Sequence, residues 1–234
     1  MYLDDKQITG FLGTGENNSK GENLNDFLEQ YNPNRYQNPS NTVDTLVFTY
    51  TETGGVKSIS RVLLIKRGNH PSIGWWALPG GFVEYRENLD TAALRELFEE
   101  TGINDIDVCQ LKCYGDYDRD PRTRIITTAY VALVPEGSLT AQAGDDASDS
   151  GWFEIKDELA EEYQNCDYKV SIHRLTLSCP ENAVTTSTDI EIRKRVTGIL
   201  PQVNYKVKAT DMLAADHGAI ILEGFHFVKG ILNK

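Results

Sequence analysis

The 234-residue chain is 40 % apolar and 25 % charged, the make-up of an ordinary globular protein with room for one generous domain or two small ones. Its formal charge of −12 argues against a general nucleic-acid surface, because phosphates would be repelled over most of the molecule. No apolar run is long enough to cross a bilayer, and Met1-Tyr2-Leu3-Asp4-Asp5 has neither the basic start nor the apolar core of a signal peptide, so the expectation is a cytoplasmic protein with no membrane partner.

Residues 13–25 are polar and glycine-rich and read as an arm; the Gly13-x-Gly15 pair has no strand before it and no apolar helix after it, so it is not taken as a phosphate loop. Asp26 to Tyr31 can form a short helix. A first strand is expected at Val43–Tyr50 and, after the Thr53-Gly54-Gly55 turn, a second at Ile59–Lys66 whose continuous apolar run suggests burial on both faces. Leu78-Pro79-Gly80-Gly81 then makes a turn that feeds a helix over Leu89–Thr101, with Asn88 placed to cap it and Gly102 to close it in the left-handed conformation.

That helix predicts two apolar rows, Leu89-Ala93-Leu97 and Leu94-Phe98, and a face of acids. Glu96, Glu99 and Glu100 stand at i, i+3 and i+4, within reach of one point in space. Like charges at this spacing cost about 0.2–0.5 kcal/mol per pair, and Arg95 is the only local cation. A hard divalent cation is the missing partner, since Mg²⁺ takes a few carboxylate oxygens and completes its octahedron with water and phosphate.

Further strands are expected at Ile106–Tyr114, Arg124–Val134 and Gly151–Ile155, and short ones at Lys169–Ser178, Asp189–Arg195 and Val203–Lys208. From Leu213 onward apolar residues recur at helical spacing; Asp216 is a possible N-cap and His217 is read as structural rather than as a ligand. The expected division is an N-terminal arm (1–40), a core domain (41–156), a β-rich insertion (157–210) and a helix completing the core (211–234). Residues 1–155 hold 13 basic and 24 acidic side chains against 10 and 11 in the remainder, so the acid excess lies with the carboxylate helix. Cys109, Cys113, Cys166 and Cys179 show no CxxC spacing and are read as reduced.

Gly81, Glu87, Arg95-Glu96-Leu97, Glu99-Glu100, Gly102 and Ile103 together resemble the complete Nudix box, G-x5-E-x7-R-E-U-x-E-E-x-G-U with U apolar. Leu63–Arg67, Pro71, Gly74, Trp76–Gly81, Gly115–Arg122 and Ala143–Ala147 are similar to segments of the ADP-ribose pyrophosphatase-like branch. So is Leu213–His217, where a Phe more often stands at the position of Ala215. The resemblance implies an α/β/α sandwich with a mixed β-sheet. It implies metal-dependent hydrolysis of a nucleoside diphosphate linked to another group, with Mg²⁺ or Mn²⁺ held by Glu96, Glu99, Glu100 and the Gly80 carbonyl. Arg95 orients the glutamates and Glu87 adds an outer carboxylate.

For the general base the candidates are Glu100 and an acid of the Asp145–Asp149 loop. Arg67, Trp76, Arg119 and Arg122 are candidate substrate contacts, Trp76 or Tyr117 by stacking on a base, although a tryptophan before a glycine loop is more often core. Arg119 and Arg122 read equally as phosphate holders or as a surface salt-bridge loop. The expected partner is a small nucleotide, ADP-ribose first, with NADH, a sugar nucleotide or a damaged nucleotide as alternatives. A different class, an ADP-ribose-type ligand sensor acting as a transcription regulator, is also kept. A homodimer is expected from the length of residues 1–40.

Overall fold

The computed structural model describes residues 13–139 and 147–233. Residues 13–38 belong to a first unit. It contains α1 (Leu24–Gln30), started by a capping box in which Asn23 accepts from the Asp26 N–H and the Asp26 carboxylate accepts from the Asn23 N–H. The helix therefore begins two residues earlier than its apolar pattern suggests, because the cap decides the start.

From Pro39 onward the second unit is built on ten strands. In chain order these are β1 (Ser40–Thr53), β2 (Val56–Arg67), β3 (Trp76–Ala77), β4 (Gly80–Phe82), α2 (Leu89–Thr101), β5 (Cys109–Tyr114) and β6 (Ile125–Pro135). There follow β7 (Ala147–Asn165), β8 (Tyr168–Cys179), β9 (Val184–Arg195), β10 (Val203–Thr210) and α3 (His217–Leu232). The sheet runs β10-β9-β8-β7-β2-β1-β6-β5. β1 and β6 are parallel and the other pairs antiparallel, so the sheet is mixed.

Strand alternation explains the layers. Val43 and Val47 of β1 pack with Ala92, Ala93 and Leu97 of α2, whereas Leu46 and Phe48 pack with Ile220, Ile221 and Val228 of α3. Successive side chains of a strand point to opposite faces, so the two helices cover opposite sides of the sheet, the expected α/β/α sandwich. The second apolar row of α2 does not bury, nor does the start of the first: Leu94, Phe98 and Leu89 remain exposed. Nor does the Asn88 side chain cap; its backbone carbonyl accepts from Ala92, and the closing turn rests on Gly102 at φ 70°.

The largest departure from expectation is β7. Expected as a five-residue strand at Gly151–Ile155, it spans 19 residues, pairing with β2 through Ala147–Glu154 and with β8 through Glu154–Asn165. The expected boundary between residues 156 and 157 thus falls inside one strand, and the β-rich insertion, β8, β9 and β10, extends the same sheet. Lys156, Glu158, Glu161 and Glu162 gave no apolar alternation to read, because this stretch is held by its ladder to β8. β5 begins at Cys109 rather than Ile106; Ile106 and Val108 pack from the preceding loop.

A split in the sheet positions the site. β1 pairs with β2 only from Phe48 onward, while its first residues, Thr42–Asp44, pair with β4. Between the two, the Thr45 N–H donates to the Pro79 carbonyl at 2.8 Å. Leu213 bridges to Trp76, the Trp76 N–H donates to the Met212 carbonyl, and the Ala214 N–H donates back to the Trp76 carbonyl. The start of α3 is thereby carried to the mouth of this split.

Candidate active site

A cavity of about 570 Å³ opens at the split, lined by Asp44, Arg67, Gly80, Gly81, Glu96, Glu100, Arg119, Arg122 and His217, among others. Three elements meet there: the acidic face of α2, the β4 glycines and the N-terminus of α3.

Arg95 organises the acids. Its Nε and Nη2 donate to both oxygens of Glu87 at 2.9 and 2.8 Å, and its Nη1 donates to Glu96 at 2.8 Å and Glu99 at 2.9 Å. Nη2 also donates to the Phe82 carbonyl, tying the fork to β4. The guanidinium holds the Glu87 carboxyl below the usual range. Burial pushes Glu96 upward, against the pull of Arg95.

Glu100 sits deeper. Its Oε2 accepts from the Gly80 N–H at 2.8 Å, yet burial, with Glu96 and Asp44 nearby, raises its carboxyl to about 8. Buried carboxylates crowded together in this way are a donor set suited to a hard cation. Glu96 and Glu100 line the cavity, whereas Glu99 is more exposed and turned onto Arg95.

The glycines are required by contact. A Cβ on Gly80, whose φ is 157°, would lie 2.0 Å from the Val43 carbonyl, and one on Gly81 would lie 2.4 Å from Glu96 Oε2. Both would strike groups the site needs, so only hydrogen fits.

Two residues outside the sequence candidates complete the wall. Asp44, nearly buried in β1, accepts from the Thr127 hydroxyl at 2.6 Å. His217 Nδ1 accepts from the Leu78 N–H at 2.9 Å, so its proton resides on Nε2, 3.9 Å from Asp44 Oδ1. His217 is held by the Leu78 N–H, and it also lines the cavity. Asp44 carried one available signal: a lone acid inside the apolar run Val43–Tyr50.

The substrate candidates divide. Arg67 lines the cavity and donates from Nε to the Pro71 carbonyl. Arg119 reaches the cavity while forked onto Asp216 at 2.9 and 2.8 Å, and Arg122 does so while forked onto Asp120 and lying over the Phe82 ring. The salt-bridge reading of these arginines therefore applies, and both also line the cavity.

Trp76 is corrected. It is 1 % exposed, packed edge-on against Phe153 with ring centroids 4.7 Å apart, and cannot stack on a ligand, because β3 turns its side chain into the core beneath α3. Tyr117 is exposed and does not line the cavity. Of the loop acids, Asp145 and Asp146 lie outside the described residues. Asp149 accepts from Asn182 and from the Ser150 N–H and is not part of the lining.

A family model described as the NUDIX domain matches residues 41–173, running across the 156/157 boundary into β8. The chain is 41 % identical over 102 residues to a protein of Methanocaldococcus jannaschii named ADP-ribose pyrophosphatase, a match covering 44 % of this chain and 59 % of that one. It is 41 % identical over 110 residues to the ADPR responsive transcriptional repressor NtrR of Acinetobacter baylyi, covering 46 % of this chain and 42 % of that protein. The chain thus spans about half the length of these curated relatives. Among solved structures, a MutT/nudix family protein from Enterococcus faecalis superposes with a TM-score of 0.62 at 28 % identity, covering 98 % of this chain and 76 % of that one.

Proposed function

The chain belongs to the Nudix family, and on that premise we propose that it is a metal-dependent pyrophosphohydrolase of a nucleoside diphosphate linked to another group, ADP-ribose first, giving AMP and ribose 5-phosphate. The observation that carries this reading is the composition of one cavity, lined by Glu96, Glu100 and Asp44 together with Arg67, Arg119 and Arg122. Carboxylates that call for divalent cations share the cavity with guanidiniums that suit phosphate and ribose oxygens. At about 570 Å³ the cavity is of the size that holds a small ligand.

Glu96, Glu99, Glu100 and the Gly80 carbonyl would hold Mg²⁺ or Mn²⁺, which supplies charge neutralisation of the pyrophosphate and an acidified water. Everything else belongs to the chain. Arg95 keeps Glu87, Glu96 and Glu99 in one arrangement through its fork. With Oε2 taken by the Gly80 N–H, Glu100 leaves Oε1 as the atom to accept a proton from the attacking water. Arg119 and Arg122 meet the substrate with rotamers already locked by Asp216 and Asp120, so little side-chain entropy is lost on binding.

A second reading has its own observation, the likeness to a repressor named as ADPR responsive: the cavity would then sense an ADP-ribose-type ligand without turning it over. One assay separates the two. AMP release is followed from ADP-ribose, NADH, UDP-glucose and dNTPs with Mg²⁺, with Mn²⁺ and with EDTA. Metal-dependent AMP from ADP-ribose is the expected result; tight ADP-ribose binding with no turnover across the panel would replace the enzyme by the sensor.

A further inference from the structure

Outside the cavity lining, a second cluster of ligand-type side chains is assembled from β7, β8 and α3. Asp157 bridges two imidazoles, Oδ1 lying 2.7 Å from His173 Nδ1 and Oδ2 lying 2.8 Å from His226 Nε2. One potential ligand atom from each of the three residues lies within 4.8 Å of the others. The two rings meet at 71° with centroids 5.6 Å apart. The side chains are between 14 and 26 % exposed, sheltered yet reachable from solvent.

The outer ring nitrogens are also engaged. His173 Nε2 is 3.2 Å from the Ser171 hydroxyl, and His226 Nδ1 is 3.1 Å from the Tyr205 hydroxyl. A hydroxyl can donate or accept, and this gives one frame two states. The four contacts allow a state in which each imidazole directs its N–H at Asp157 and each hydroxyl donates to the outer nitrogen. With a cation, each ring carries its proton on the outer nitrogen, donates it to the hydroxyl and offers the inner lone pair. Hydroxyl-backed imidazoles of this kind hold the tautomer that a metal requires.

We infer that Asp157, His173 and His226 form a second divalent-metal site, for a first-row transition ion of the zinc class. The donors decide the class. Two imidazole nitrogens and one carboxylate suit Zn²⁺ and its neighbours, whereas the all-oxygen glutamates of α2 suit Mg²⁺ or Mn²⁺. Three protein ligands leave a coordination position for water. Because the ligands lie on β7, β8 and α3, the ion pins the last helix to the outer half of the sheet, and its binding energy adds to the stability of that half. The inference does not depend on what the cavity hydrolyses.

The test is calorimetric titration of the full chain with Zn²⁺ in excess Mg²⁺, which keeps the α2 glutamates occupied. The exposed thiols of Cys109, Cys113 and Cys166 can also take Zn²⁺, so the reading is the difference between proteins. Wild type is expected to bind one equivalent that His173→Gln and His226→Gln each lose, and Tyr205→Phe to weaken that equivalent by about 10–100-fold. A measurement on wild type alone guards against variants that fail to fold: in long-range proton–nitrogen spectra, Zn²⁺ should move His173 Nδ1 and His226 Nε2 and leave His70 in place. Unmoved ring nitrogens, or the same Zn²⁺ binding in wild type and both folded variants, would reduce the trio to a hydrogen-bonded clasp and end the proposal.

Discussion

Around the acidic face of α2, side chains are held by charge and close approach: one guanidinium contacts three glutamates, and two glycines leave no room for a methyl group. Along β7 to β10 the chain is held by long antiparallel ladders over Leu175, Leu177, Ile190 and Ile192. These two parts of one sheet differ in what they tolerate. A ladder spreads its stabilisation over many equivalent bonds, so a single exposed change is absorbed, whereas a cluster of like charges depends on every contact that orients it. The contrast also extends to ligand chemistry, all-oxygen in the cavity and nitrogen-rich at the Asp157 node.

The sharpest way to test that contrast is Glu100→Gln. The carboxyl is already flanked by Glu96 and Asp44, so a neutral amide leaves the fold intact, with a melting temperature near that of wild type. Steady-state kinetics should nonetheless show turnover lower by about 10³-fold or more, since a ligand is lost where charge develops. Near-normal turnover would sink the metal assignment. Chelation by EDTA should give a comparable loss, reversed by Mg²⁺ or Mn²⁺.

Gly81→Ala comes next. The new Cβ would meet Glu96 at 2.4 Å and displace it, and a misplacement of about 1 Å costs about 10²-fold in rate. The expected signature is a fall in kcat with secondary structure unchanged by circular dichroism. Gly81→Ala at full rate would mean that Glu96 need not sit where the structure holds it.

On the other side of the comparison, Leu177→Ala empties a fully buried position in the ladder half. Stability in urea should fall by about 2–5 kcal/mol, while turnover of the still-folded protein at low temperature stays within about twofold. A large catalytic loss there would show that the two regions are coupled more tightly than the contacts suggest. The smallest effect is expected for Lys156→Ala, which removes an exposed pair with Glu158; its cost should not exceed about 1 kcal/mol and should vanish in high salt.

Residue spacing alone made the acidic helix legible. The i, i+3 and i+4 spacing that puts Glu96, Glu99 and Glu100 on one helix face, and the left-handed stop at Gly102, are properties of the local backbone and need no tertiary partner. The apolar run Val62–Ile65 announced a buried strand for the same reason. Local spacing failed where neighbours decide. The polar half of β7 is a strand because β8 pairs with it, and Trp76 is core because β3 turns it beneath α3.

The rest of the cavity lining is likewise a tertiary result. Asp44 meets Thr127 across 83 residues, and Leu78 meets His217 across 139. Only the split between β2 and β4, together with the docking of Leu213 on Trp76, closes those distances. The same holds for His173 and His226, which stand 16 and 69 residues from Asp157. Sequence determined which side chains one helix presents, because a helix repeats every few residues; the fold decided what faces them, because contacts between distant segments exist only after the sheet and its two covering helices have packed.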